Sequence, residues 1–126
     1  MTLSATSFAR RLLVMSAWER AHIPHHSSLI AREVMLLALS RYDGVNAARV
    51  KEFHLTLPYS EDRISQLLKQ LTRDGWVTVK KNQRDGRIKF VLPTERLTLL
   101  FEEYRRSLQE VLLAADEPPK IGKDKG

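Results

Sequence analysis

The sequence predicts a mainly α-helical domain with a small β-wing, and three observations carry that prediction. Ile64, Leu67, Leu68 and Leu71 recur at helical spacing. Directly after them the apolar period drops to two, in Val77 and Val79 and again in Ile88, Phe90 and Leu92. Between these two alternating runs lies a short charged turn, Asn82-Gln83-Arg84-Asp85-Gly86, whose glycine is able to take a positive φ.

Taken in order, Ser4 or Thr6 can cap a first helix reaching to about Ala21. Phe8, Leu12, Met15 and Trp18 line one side of it, and Leu13 and Ala17 widen that side. Ile23-Pro24-His25-His26-Ser27 breaks the pattern, and Ser27 or Ser28 caps a second helix to about Tyr42, with Ile30, Val34, Leu37 and Ala38 facing the core. After the Asp43-Gly44 turn, Val45 starts a minimal strand and Asn46 caps a short helix from Ala47 to His54. Leu55 to Tyr59 forms a turn that Pro58 prevents from continuing as helix. A second helix then begins between Pro58 and Ser60 and stops at Asp74-Gly75, where a left-handed residue is needed. Helix, turn, helix and hairpin in that order make a winged helix-turn-helix.

On the helix before the wing, Arg63, Ser65, Gln66, Lys69, Gln70 and Arg73 lie opposite or beside the leucine ridge. Such side chains find base edges and phosphates in a major groove. Lys80, Lys81, Arg84, Arg87 and Lys89 decorate the hairpin, Arg84 at its tip suited to a minor groove and the lysines to phosphates. From Thr94 to about Ala115 the longest helix carries Leu97, Leu100, Phe101, Tyr104, Leu108, Val111 and Leu112. Only its first turns can reach the wing. Phe8, Leu12, Met15, Tyr104, Leu108, Val111 and Leu112 are therefore expected at a contact with a second copy of the chain; the alternative is a last helix folded back on the first of its own chain.

The exit Leu71-x-x-x-Gly75-Trp76-Val77, the pair Asp85-x-Arg87 and the junction Leu92-Pro93-Thr94 resemble the winged helix-turn-helix of the multiple-antibiotic-resistance-regulator (MarR) family over roughly residues 5 to 115. The resemblance implies a homodimer interlocked by its first and last helices, Asp85 and Arg87 paired to stiffen the wing, and an unnamed small-molecule effector between dimer helices and DNA lobe, where Trp18, Tyr42, Tyr104 and the histidine-rich loop would lie. Pro93 replaces the family's usual threonine. Glu61 and Asp62 stand where the family mostly has small polar residues.

Composition agrees with a polyanionic partner: 21 Lys and Arg against 15 Asp and Glu leave a net charge of +6. One domain, residues 1 to 115, is expected, followed by a disordered tail from 116 to 126 that carries two prolines and no apolar period. With no cysteine, thiolate metal sites and disulfides are excluded, and His22, His25, His26 and His54 lack the spacing of a metal site. No nucleotide-cradle, zinc-hydrolase or nucleophile-elbow motif occurs, so neither enzyme activity nor a cofactor is expected. No apolar run is long enough to cross a bilayer and no signal-peptide pattern opens the chain, so a cytoplasmic protein is expected. The reading is a dimeric regulator, in the first instance a repressor, that binds double-stranded DNA. Its rivals are a replication or partition accessory of a mobile element and a winged-helix module that docks a protein.

Overall fold

The computed structural model describes residues 3–114, so the tail expected to be disordered lies outside the described residues. The elements run α1 (Ala5–His22), α2 (Leu29–Ser40), β1 (Ala48–Arg49), α3 (Val50–Thr56), α4 (Glu61–Arg73), β2 (Val77–Lys81), β3 (Lys89–Pro93) and α5 (Glu95–Leu113). The strands form one antiparallel sheet in the order β1-β3-β2. Four helices start at hydroxyl caps: Ser4, Ser28, Ser60 and Thr94 accept from the amides of Ser7, Ala31, Arg63 and Leu97.

α2 sits at the centre because it is apolar around most of its girth. It buries Ile30, Ala31, Val34, Met35, Leu37 and Ala38. Around it close Phe53 of α3, Ile64, Leu68 and Leu71 of α4, Val77 and Val91 of the sheet, and Leu97 of α5. Leu67, expected on the same ridge, is half-buried.

Two local readings are corrected. Ala47 to Arg49 was expected inside a helix and Val45 in a strand; instead Ala48 pairs with Val91 and Arg49 with Phe90, and α3 begins at Val50. The cross-strand partner decides this, and it lies about forty residues away. Gly86 does not adopt the positive φ expected of it; among the described glycines only Gly44 and Gly75 do.

The terminal helices carry the larger correction. α1 lies against α5 of its own chain, so the end of α5 does have a partner within the chain. The seam is Ser7, Arg11, Met15 and Trp18 rather than the stripe through Phe8 and Leu12. Arg11 is only 8% exposed, and its Nη1 donates to the carbonyls of Val111 at 2.7 Å and Leu112 at 2.8 Å. These are orphan acceptors at the negative end of α5, so the helix terminus itself offsets the buried charge. Trp18 stacks on Tyr104, 5.3 Å between centroids, and the Tyr104 hydroxyl donates to Glu19. Burial and that carboxylate push the Tyr104 phenol above its ordinary value. Met15 is 2% exposed and belongs to this internal seam, whereas Phe8 and Leu12 remain 44% and 43% exposed beside it.

α4 is closed by a Schellman turn. Gly75 takes φ 81°, Trp76 N donates to Leu71 O at 2.9 Å and Gly75 N to Thr72 O at 3.1 Å. α5 starts on that turn: the Thr94 hydroxyl lies 2.8 Å from Gly75 O and 3.0 Å from Trp76 O while accepting from Leu97 N. Arg96 lies over the Trp76 ring, 3.8 Å to its centroid, and donates to Asp74 O at 2.7 Å. Thr94→Val removes the cap and the donor together and should cost about 2 kcal/mol. In urea unfolding the midpoint should fall with the slope unchanged.

Candidate nucleic-acid interface

Residues turn by about 100° along α4, which places Gln66, Lys69 and Arg73 at the centre of the face opposite Ile64, Leu68 and Leu71. Gln66, Lys69, Gln70, Arg63 and Arg73 are all exposed, and Ser65 is half-buried at the edge. Two sides of this face differ. Ser65, Lys69, Thr72 and Arg73 turn toward the wing and line, with Val50, Leu68, Val79 and Lys89, a cleft of about 550 Å³. Arg63 lies on the other side, its guanidinium 5.8 Å from the Tyr59 ring centroid. The Tyr59 hydroxyl donates to Glu33 of α2, and that bond pushes its phenol above the ordinary value.

The same wheel puts Asp62 between Lys69 and Arg73, at the first turn of the exposed face. Both Glu61 and Asp62 satisfy the positive end of α4.

The wing divides its cations between two faces. Register pairs Lys81 with Lys89 and Val79 with Val91 on the core side, and Lys80 with Phe90 and Thr78 with Leu92 on the outer side. Lys89 therefore shares the cleft with α4, while Lys80 lies on the outer face beside Val45, Phe90 and Leu92. Arg84 stands exposed at the tip. The tip is shaped by side chains in place of a glycine conformation: Asn82 Oδ1 accepts from Arg84 N at 2.8 Å and Asp85 N at 3.1 Å. Asp85 then accepts from Arg87 through its backbone amide at 3.0 Å, Nε at 3.0 Å and Nη2 at 3.1 Å, which is the pairing the resemblance implied. The Arg87 guanidinium, and after it the Arg87 amide, hold the Asp85 carboxyl below the usual carboxylate range.

Lys69, Arg73, Lys80, Lys81, Arg84 and Lys89 enter no ion pair among the described residues. Reasoning from sequence missed Thr72, Arg49 and Lys51; the last two flank Val50 at the cleft floor, and the Arg-Val-Lys alternation was their only trace. Among the described residues no group of three or more His, Asp or Glu could hold a metal ion, and no helix is long and apolar enough to cross a membrane. Of the aromatics suggested for an effector cleft, Trp18 stacks on Tyr104 and His22 on Trp18 at 4.4 Å, while Tyr42 stays exposed.

No protein-family model matches the chain, and no curated protein matches it. Solved structures do. The transcriptional regulator Tm0710 of Thermotoga maritima aligns with TM-score 0.63 at 16% identity, covering 94% of this chain and 78% of that one. A point mutant of MepR from S. aureus, bound to an oligodeoxyribonucleotide, aligns with TM-score 0.62 at 16% identity, covering 98% and 91%. A point mutant of MarR from E. coli, complexed with operator DNA, aligns with TM-score 0.59 at 13% identity, covering 95% and 84%. The fold is that of a MarR-like winged helix. Within this MarR-like fold, α3 and α4 are the helix-turn-helix and β2–β3 the wing.

A group whose folded pKa is depressed stabilises the fold above its unfolded value and ceases to as pH falls through the folded one. Asp85→Asn should therefore loosen the wing tip at pH 7, read as a lower heteronuclear NOE at Arg84 and Arg87. The difference from wild type should fade as pH drops through and below about 3.9.

Proposed function

We propose that the chain is a homodimeric regulator of transcription that binds double-stranded DNA, with α4 in the major groove and the wing tip in the adjacent minor groove. The carrying observation is the cleft in which Lys69 and Arg73 of α4 face Lys89 of β3, all three without an acidic partner among the described residues. A cleft of this kind spans the backbone strand between the two grooves. Gln66, at the centre of the exposed face, suits an adenine edge, and Lys69 a guanine or a phosphate. Arg84 suits the minor groove. That MepR and MarR structures with this fold hold an oligodeoxyribonucleotide and operator DNA supports the reading.

The dimer is read from the face that α1 leaves open. Phe8, Leu12, Leu13 and Val14 are 44%, 43%, 71% and 56% exposed on one helix, and Leu113 is 82% exposed at the end of α5. So much exposed apolar surface on α1 and α5, with Phe8 and Leu12 one turn apart at its centre, fits a second copy. Two such domains would read half-sites about 10 to 10.5 bp apart. Repression, in preference to a replication or partition role, is the reading to be tested by mapping the bound site relative to a promoter. Glu61 and Asp62 favour the rival, a winged helix that docks a protein, because they set two negative charges at the head of the helix.

Binding of a labelled random-sequence duplex decides between these. If six to ten phosphates are contacted, log affinity should fall against log salt with a slope on the order of −5 to −9. Lys69→Ala with Arg73→Ala should make the slope shallower by about 2 and lower affinity at every sequence. Unaltered binding in that double variant would remove α4 from the interface. Leu12→Glu should shift sedimentation from dimer to monomer; a wild-type chain that sediments as a monomer and binds one half-site with full affinity would end the dimer reading.

A further inference from the structure

The cleft at α4 does not end at the wing. Beyond Val50 and Lys89, which line both, a second hollow of about 520 Å³ opens between α3 and the return arm of the hairpin. It is lined by Arg49, Lys51, His54, Leu55, Glu61, Arg87 and Ile88 besides those two. Four cations thus face one carboxylate. Arg49 and Lys51 are exposed and, like Lys89, enter no ion pair among the described residues; Arg87 is held by Asp85 alone.

His54 adds an independent observation. Its Nδ1 is buried with no hydrogen-bond partner, while Nε2 makes no bond to protein and is not among the buried atoms. A buried N–H with nothing to receive it is rarer than an unmet lone pair, so Nδ1 is the bare nitrogen and Nε2 carries the proton. His54 thus brings an Nε2–H donor to the wall of a cationic hollow. No group of this chain, among the described residues, takes that bond.

We infer that this second hollow is a phosphate track: it receives the DNA backbone where it continues past the α4 cleft, with Arg49 and Lys51 as counter-charges and His54 Nε2–H as a donor to a phosphate oxygen. This deepens the DNA-binding reading above and rests on it. A duplex backbone is the occupant because the two hollows share Val50 and Lys89, so a strand seated against Lys69, Arg73 and Lys89 is led on to Arg49 and Lys51, and a polyanion meets both sets of cations where a single free anion meets one. In the sequence only the Arg-Val-Lys alternation marks it, since its walls come from the start of α3 and from a strand some forty residues later.

The experiment is fluorescence anisotropy of a labelled random-sequence 30-bp duplex across a salt series, with the full chain. Arg49→Ala with Lys51→Ala should make the salt slope shallower by about 2 and weaken binding on the order of tenfold. Thermal stability should hold, because both side chains are exposed. His54→Phe fills the same space without an orphan nitrogen, so its melting temperature should stay or rise while affinity falls by roughly threefold, a split that a packing role would not produce. An unchanged slope in the double variant overturns the track while leaving the α4 reading intact. An unchanged affinity in His54→Phe overturns the role given to that ring. Inorganic phosphate that displaces the duplex from wild type at matched ionic strength, and not from the double variant, would make the hollow a free-anion site and overturn the track. A wild-type chain that does not bind the duplex at all overturns both readings.

Discussion

The structure depends on one junction, where the C-terminus of α4 meets the N-terminus of α5. A helix end leaves carbonyls without partners, and a helix start leaves amides. Here side chains at the start of α5 supply donors to the carbonyls just past the end of α4. The Thr94 hydroxyl caps α5 and reaches the carbonyls of Gly75 and Trp76, while Arg96 holds Asp74 O and covers the Trp76 ring. Gly75 makes this turn possible, since a side chain there would sit in a strained left-handed conformation at φ 81°. The wing must then leave and return within one short hairpin between two fixed points. Its register, and the placement of Lys89 opposite Lys69, come from that closure.

From the junction the constraint passes through α2. Neighbouring residues on that helix serve two lobes: Arg32 lies 3.6 Å from Glu19, which accepts from Tyr104, and Glu33 accepts from Tyr59 just ahead of α4. His25, the one described non-glycine residue with positive φ, sits 3.6 Å from Asp74 just past the end of α4. These polar contacts are partly exposed and individually weak. Their effect is directional. They fix how α1, α2 and α4 face one another, while the apolar core around Phe53, Met35, Ile64 and Leu71 supplies the stability.

What the sequence made legible was local, and what it hid was pairwise. α4 and the wing could be read because their periods differ and Gly75 punctuates them. The Asp85–Arg87 pair could be named because both residues lie in one turn. Ala47 to Arg49 were misread because two alanines favour helix, and the preference was overridden by Val91 across the sheet. The seam of α1 was misread for a related reason. Ser7 and Arg11 look like a solvent face until the carbonyls of Val111 and Leu112, a hundred residues away, are placed against them. Displacing the buried stripe by one position moved Phe8 and Leu12 outward. A periodicity argument locates a stripe to within about one residue, or 100° of arc. That margin is the difference between a core and an interface. Arg49, Lys51 and His54 were beyond reach for the same cause: each is ordinary alone, and they form a wall only beside a strand that arrives later.

The acids at the head of α4 set how this helix can meet a duplex. Glu61 and Asp62 favour the helix by meeting its positive end, yet they place negative charge where a helix entering a groove tip-first would meet phosphates. Arg63 is the one cation of that turn, set beside Tyr59; others without an ion pair among the described residues lie at Lys69 and Arg73 in the middle and last turns and at Lys89 across the cleft. On the proposed reading a duplex is therefore drawn to the middle and C-terminal end of α4 and to the wing. Of the first turn, Asp62 on the exposed face is left to meet base edges, where a carboxylate accepts from the exocyclic amine of cytosine and is not a liability. Charge distribution along a single helix thus selects a tilt, and the tilt decides which base pairs can be read at all.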